Sequence, residues 1–266
     1  MKQPSKIWRR VNEPISLKSE TISSFDLAAD EYIDSDENWG DDTYLAGEIG
    51  KRLNVLKNRL NDVPDSSLPQ VRLLYAGCGP GFLLRRIMDY KDVFSIMVGV
   101  DLSRRMLRLS KLLAKEHELK NRVVFLCDDF QRDLFPEGSF DLIVCMNNTL
   151  GNLVNHEDSP STARRKCLET FHRVLDKNGY LVLTVYNAAM YQPVSRYSRF
   201  LTLDKDKSDL KNYDLILKFR RGTGIAHSFY AHWFRESELQ SLLKQSGFKI
   251  ERLAKQKKRI LISARK

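Results

Sequence analysis

The chain has 266 residues, 42% hydrophobic and 29% charged, the balance of a globular protein long enough to bury a core of its own. No apolar run approaches the roughly 18 residues that cross a bilayer, and the basic start MKQPSKIWRRVNEP leads into no apolar segment, so neither a membrane span nor a signal peptide is expected and the expected location is cytoplasmic. The net charge of +10 admits a nucleic-acid partner, but the excess gathers around Arg220 and Arg221 and in the closing FKIERLAKQKKRILISARK, where a solvated edge hairpin accounts for it equally well.

In chain order, SSFDLAADEYI and DDTYLAGEIGKRLNVLKNRL read as two helices. The second has acids in its first turn and bases in its last, as the helix dipole prefers. The acidic loop DSDENWGDD lies between them, and the Pro/Ser/Asp linker NDVPDSSLPQ follows. From there β-type runs (VRLLYAG, SIMVGVDL, RVVFLCDD, FDLIVCMN, GYLVLTVYN) alternate with helical patterns (FLLRRIMDY, SRRMLRLSKLLAKEHE, TARRKCLETFHRVL). Such alternation, with strands apolar along their whole length, predicts βαβ units and a parallel sheet covered on both faces. After Asn187 the pattern breaks into a hairpin, YDLILKFRRGTGIAHSFYAHWF, turning at Gly222-Thr223-Gly224; a helix, RESELQSLLKQSGF, and the basic strand pair complete the chain. The four cysteines, Cys78, Cys127, Cys145 and Cys167, have no metal or redox spacing and read as buried reduced thiols; no metal is expected.

The stretch LLYAGCGPG spends three of the chain's 13 glycines, Gly77, Gly79 and Gly81, on one strand-to-helix turn. Such a turn lets backbone approach a nucleotide closely and presents the N–H groups of the next helix. A dinucleotide fingerprint would need glycine or alanine at Phe82, and no Gly-Lys-Ser/Thr follows for a P-loop; the Gly-x-Gly-x-Gly form suits a ligand without a pyrophosphate.

From about Val71 to Asn187 the chain resembles class I S-adenosylmethionine-dependent methyltransferases, in the turn AGCGPG, in Asp101 ending the next strand, in VVFLCDDF and in FDLIVCMNNTLGNL. The resemblance implies a seven-stranded, mostly parallel, doubly wound α/β sheet, with N-terminal helices over residues 1–66 as a lid, a methyltransferase domain over 67–266 and a substrate-covering insertion at about 190–232. It implies S-adenosyl-L-methionine as cofactor, with Asp101 on both ribose hydroxyls through charge-assisted bonds worth roughly 1.5–3 kcal/mol each. Asp129, or alternatively Asp128, would take the adenine amino group, with the backbone and ring of Phe130 beside the base. Ala76, Gly77, Cys78, Gly79 and Gly81 would cradle the amino-acid end, and Leu102, Met106, Met146 and Asn147 would complete the contacts. One departure is Tyr75, where the family usually has a carboxylate: either another group compensates, or backbone carbonyls around Ala76 and Gly77 hold the ammonium.

An amine must arrive neutral at the sulfonium, which calls for acceptors and hydroxyls around the nitrogen, and CMNNTLGNL supplies Asn147, Asn148, Thr149 and Asn152. That loop looks like glycine N-methyltransferase and its relatives at Cys145, Asn148, Thr149 and Leu153, and the likeness continues to Asn187. Those relatives have a carboxylate-gripping arginine where this chain has Tyr186, and a tyrosine cannot replace a guanidinium fork. An apolar or aromatic substrate body is therefore expected.

In the hairpin, His227 and Trp233 share one face and Tyr230 and His232 the other. One set would roof the cleft while the other sees solvent or packs on the next helix, and either histidine is a candidate general base with a structural place as its other reading. Tyr32, Trp39 and Tyr44 are candidates for a lid over the methyl donor, or for core packing. The expected reaction is N-methylation of a small molecule. The rivals are an O- or RNA methyltransferase, in which Arg220, Arg221 and the tail lysines would line the cleft mouth, and a regulatory binder without turnover. No Asn-Pro-Pro-Tyr or Asp-Pro-Pro-Tyr motif is present, and the oligomeric state is open.

Overall fold

A computed structural model describes residues 18–19, 21–26, 43–61, 71–119, 121–154, 159–191, 201–219, 227–256 and 258–266. Residues 21–26 are helical. Helix α1 (Thr43–Asn61) starts too late to hold the acids expected in its first turn, which contains none. Then come β1 (Val71–Ala76), α2 (Phe82–Arg86), β2 (Phe94–Asp101), α3 (Arg104–Glu116), β3 (Val123–Cys127), β4 (Phe140–Cys145), α4 (Pro160–Val174) and β5 (Leu175–Tyr186). The chain goes on through β6 (Leu201–Leu203), β7 (Asp214–Phe219), β8 (His227–His232), α5 (Glu236–Gln245), β9 (Lys249–Gln256) and β10 (Arg259–Arg265).

The expected seven-stranded sheet is present, in the order β3-β2-β1-β4-β5-β10-β9. The pairs among β1 to β5 are parallel, and only β10 runs against its neighbours. Strand order reverses between β1 and β4, which makes their carboxyl ends the place where such sheets bind ligands. Alternation along β1 sends Leu74 and Ala76 into one core and Leu73 and Tyr75 into the other. At the opposite end of these strands Arg72 grips Asp141 with two guanidinium bonds, of 3.0 and 2.8 Å, and its backbone N–H adds a third at 2.8 Å. The buried Glu48 accepts Arg52 of its own helix at 2.7 Å and Arg252 of the edge strand β9 at 3.0 Å, which ties α1 to that strand.

Helix starts follow local chemistry. Ser103 caps α3 by accepting the Met106 N–H, and Ser159 caps α4 ahead of Pro160, whose missing N–H costs nothing at that position.

Three expectations need correction. The basic tail is not a solvated hairpin throughout: β10 lies between β5 and β9 with Ile260 to Ala264 buried, and only β9 is an edge. Cys127 is exposed, while the other three cysteines are buried. The hairpin of β7 and β8 forms as expected, but β6 adds a third antiparallel strand to it, because Leu201 to Leu203 pair with Phe219 to Leu217. The turn at 222–224 and Arg220 and Arg221 lie outside the described residues, as do Tyr32, Trp39 and the side chain of Tyr44. Among the described residues no helix is long and apolar enough to cross a membrane.

Candidate functional site

The turn after β1 folds back on β2, with the N–H groups of Gly77 and Cys78 donating to the Val100 carbonyl at 2.8 and 3.1 Å. Gly77, Gly79 and Gly81 all have positive φ, +64°, +52° and +89°, the region only glycine enters without strain. A Cβ on Gly77 would stand 2.3 Å from Thr149 Cγ2, so the loop after β4 closes one side of the turn. On Gly79 it would meet nothing within 4 Å, so the turn is open there. Ala76 and Cys78 are buried, and Tyr75, 5% exposed, is part of the core beneath the turn.

Asp101 is tied into this turn. Its carboxylate accepts the Gly79 N–H at 2.8 Å and the Ser103 N–H at 2.9 Å. Burial pushes its carboxyl above the usual range and the nearby Asp26 adds to this, while the backbone donors pull it down. Burial, with the charge of Asp101, drives the Cys78 thiol well up. Leu102 is half-buried and Met106 buried just beyond.

At the end of β3 the two acids differ. Asp128 is held below the usual range by the Asp129 N–H and by Arg132. Asp129 is buried, and it accepts the Gln131 N–H at 2.9 Å and the Lys18 ammonium at 2.5 Å. Phe130 stacks on Phe171 at 5.7 Å, which commits to the core the ring that the resemblance sets beside a base. The segment carrying Lys18 is anchored twice more: Ser103 Oγ donates to Asp26, and Phe25 packs on Phe229 of β8 at 5.8 Å.

The loop after β4 holds two consecutive residues in the left-handed region, Asn147 (φ +53°) and Asn148 (φ +65°). Both are kept there by neighbours. The Asn147 N–H donates to Thr184 Oγ1 at 2.9 Å. The side chain of Asn148, fully buried, donates to Asn152 Oδ1 at 3.1 Å and to the His232 carbonyl at 3.2 Å, and accepts the Tyr186 N–H at 3.0 Å. Its amide is therefore fully used by the protein. Asn147 differs: its Oδ1 is buried and has no hydrogen-bond partner among the described residues. Met146 is buried and its carbonyl accepts the Thr149 hydroxyl at 2.7 Å. Gly151 makes room for this knot, since a Cβ there would come 2.5 Å from Asn148 Oδ1 and 2.6 Å from the His232 carbonyl.

Tyr186 ends β5 beside this loop and stacks on Trp233 at 5.0 Å, with Tyr191 edge-on to Trp233 at 5.3 Å. Burial raises the Tyr186 hydroxyl. His232 faces the other way, as the alternation requires. Its Nδ1 lies 2.8 Å from Asp214 and its Nε2 2.8 Å from Glu238 at the start of α5, so neither ring nitrogen is free to take a proton from a ligand. His227 ends the Phe219 pairing on β8, and its side chain lies outside the described residues.

Sequence reasoning missed Lys18, Thr184, Arg164, Asp214 and Glu238. Arg164, 4% exposed on α4, reaches Tyr230 Oη at 2.7 Å, and Tyr230 in turn donates to Asp214. The one signal available was the hairpin itself, whose register sets Asp214 opposite His232. Of the described lysines of the tail, Lys249 and Lys255 lie on β9, three strands from β4, and Lys266 follows β10, whereas the Lys258 carbonyl accepts the Asn187 N–H at 2.8 Å at the end of β5.

A family description, "Methyltransferase domain", matches residues 68–245. Among solved structures the chain is similar to the CcbJ methyltransferase of Streptomyces caelestis, at 18% identity over 92% of this chain and 98% of that one, TM-score 0.63. It is similar to the 1,6-didemethyltoxoflavin-N1-methyltransferase of Burkholderia thailandensis, solved with 1,6-didemethyltoxoflavin and S-adenosylhomocysteine, at 18% identity over 94% and 88%, TM-score 0.58. An S-adenosylmethionine-dependent methyltransferase of Clostridium acetobutylicum matches at 16% identity over 81% and 91%, TM-score 0.54. These likenesses speak for the fold. No curated protein sequence matches the chain.

Proposed function

The chain belongs to the methyltransferase domain family and is an S-adenosylmethionine-dependent methyltransferase, and from that premise we propose that its acceptor is an amine nitrogen of a small molecule. The residues present fit the cofactor. The turn is open at Gly79, and Asp101 is a half-buried carboxylate fixed at the adjoining strand end with acceptor capacity left for hydroxyl donors. Asp101 would hold the ribose, Asp129 the adenine amino group, and the turn from Ala76 to Gly81 the amino-acid end. When bound, the cofactor supplies an electrophilic methyl group on a sulfonium.

One observation carries the amine reading: the Oδ1 of Asn147 at the carboxyl end of β4, which has no hydrogen-bond partner among the described residues. A buried acceptor left alone costs about 1–3 kcal/mol, and an N–H from a neutral amine offsets that cost while aiming the nitrogen lone pair elsewhere. Asn147 thus orients the acceptor, whereas Asn148 serves by holding the loop. Tyr186 and Trp233 offer two rings in tilted contact, with the Arg259 charge acting on the Tyr186 hydroxyl, which suits an aromatic body and excludes water from the methyl group. A neutral amine needs no base for the transfer, which agrees with the engagement of both His232 nitrogens. The Burkholderia structure, whose enzyme methylates the N1 position of a small ring compound, supports the reading by shape.

The test is calorimetry with S-adenosylhomocysteine, followed by labelled-methyl transfer to a panel of amines, phenols and RNA. Incorporation into amines alone is expected. Label found only in phenols or RNA overturns the acceptor assignment, and absence of cofactor binding overturns the whole reading.

A further inference from the structure

The three-stranded sheet β6-β7-β8 is joined to the rest of the molecule through a partly buried cluster of charges that methyl transfer itself does not use. Arg164 comes from α4, Asp214 from β7, Tyr230 and His232 from β8, and Glu238 from α5. Asp214 Oδ1 receives Tyr230 Oη and His232 Nδ1, while Glu238 receives His232 Nε2. Arg164 bonds Tyr230 and stands 3.9 Å from each carboxylate, with its guanidinium over the Phe234 ring at 5.6 Å. His232 packs edge-on to the same ring at 4.5 Å. Taking the Arg164 guanidinium and the His232 ring out of water is costly, and hydrophobic residues of the same volume would hold two surfaces together at least as well. What an ion cluster adds is direction: each partner accepts only one geometry.

That direction is passed on by one residue. The ring of His232 is fixed by the cluster, and its carbonyl accepts the Asn148 amide, which holds the strained loop presenting Asn147. The next residue is Trp233, whose ring stacks on Tyr186, and after it the Phe234 N–H donates to the Tyr186 carbonyl at 2.9 Å. Residues 232 to 234 therefore touch the cluster, the acceptor loop and the aromatic wall in succession.

We propose that His232, braced by Asp214, Glu238 and Arg164, is a positioning residue for the methyl acceptor, setting Trp233 and Asn147 in register across the cleft. The proposal rests on the reading of the acceptor site given above. It assigns His232 no contact with substrate and no proton transfer.

The test compares His232→Gln with Glu238→Ala and Glu238→Gln in the full-length chain. Glu238 is partly exposed, so its variants fold even if His232→Gln does not. For each, KM for the best amine of the panel, kcat, the dissociation constant of S-adenosylhomocysteine and amide exchange over residues 227–234 are measured. The expected result for His232→Gln and Glu238→Ala is a roughly tenfold rise in acceptor KM, unchanged cofactor affinity within about twofold, and faster exchange over 227–234. Glu238→Gln keeps an acceptor for Nε2–H and should restore most of the loss. If Glu238→Ala and His232→Gln lower only the melting temperature, with KM and exchange unchanged, the cluster is plain scaffolding and the proposal fails. If the wild type binds S-adenosylhomocysteine but methylates no amine, the acceptor reading fails first and takes the proposal with it.

Discussion

The Gly79 N–H donates to the Asp101 carboxylate at 2.8 Å, so the middle glycine of the turn and the acid ending β2 form one unit although 22 residues separate them. Burial raises that carboxyl above its usual range, and on the proposed reading hydroxyl donors from a ribose would favour its charged form. Asp101→Ala should therefore weaken S-adenosylhomocysteine by about 100-fold or more, the value of two charge-assisted bonds, as read by calorimetry. A change below threefold would remove Asp101 from the ribose site.

Asn147 permits a separation of stability from function. Its φ of +53° is strained for any residue but glycine, so Asn147→Gly should hold or raise the melting temperature while deleting the orphan acceptor. We expect kcat/KM for the amine to fall at least tenfold. Full activity in the glycine variant would show that Oδ1 does not meet the acceptor.

Lys18 takes the Asp129 oxygen that an adenine amino group would use. Removing the ammonium in Lys18→Met should tighten S-adenosylhomocysteine binding by about three- to tenfold at low salt, with less difference at high salt because the ion pair is partly screened. Weaker binding in this variant would mean that Lys18 stays and contacts the ligand.

Tyr75 stands where the family usually has an acid, yet its side chain is buried among Leu73, Leu142 and Val144. A carboxylate there would be taken out of water. Tyr75→Glu should lower the melting temperature by about 5–10 °C, the effect of several kcal/mol in a chain of this size, and should not tighten cofactor binding. Tighter binding by the folded variant would show that the missing acid matters after all.

Burial alone would raise Asp214 and Glu238, but the hydrogen bonds and charge of His232, together with Arg164, hold both below their ordinary values of 3.8 and 4.5. Groups depressed in the folded state stabilise it above the unfolded values and lose that contribution as pH falls through the folded ones. The melting-temperature gap between wild type and Asp214→Asn should thus be full above about pH 5 and close below about pH 4. A gap that widens in acid contradicts this.

The sheet, its order of strands and the glycine turn were legible because each rests on local pattern: apolar runs, periodic helices, and Gly77, Gly79 and Gly81 between them. The partly buried cluster was not. Arg164, Asp214, His232 and Glu238 come from four elements, and no spacing along the chain links an exposed-looking arginine on α4 to a hairpin fifty residues later. Asn147 and Asn148 were read as alike, since the sequence cannot tell an amide consumed by three internal bonds from one left with an open oxygen. Tyr75 was legible as a departure but not as a core residue, because the alternation that buries it depends on which face of β1 the helices cover.

Gly151 has a mechanical consequence. The space its missing side chain leaves is filled by the Asn148 amide and the His232 carbonyl, so the joint between the small sheet and the loop has a clearance narrower than one methyl group. Such a joint allows no independent play. A tilt of the small sheet must either drag Asn148 along or break its bond to His232, so the small sheet and the loop that carries Asn147 are mechanically one piece.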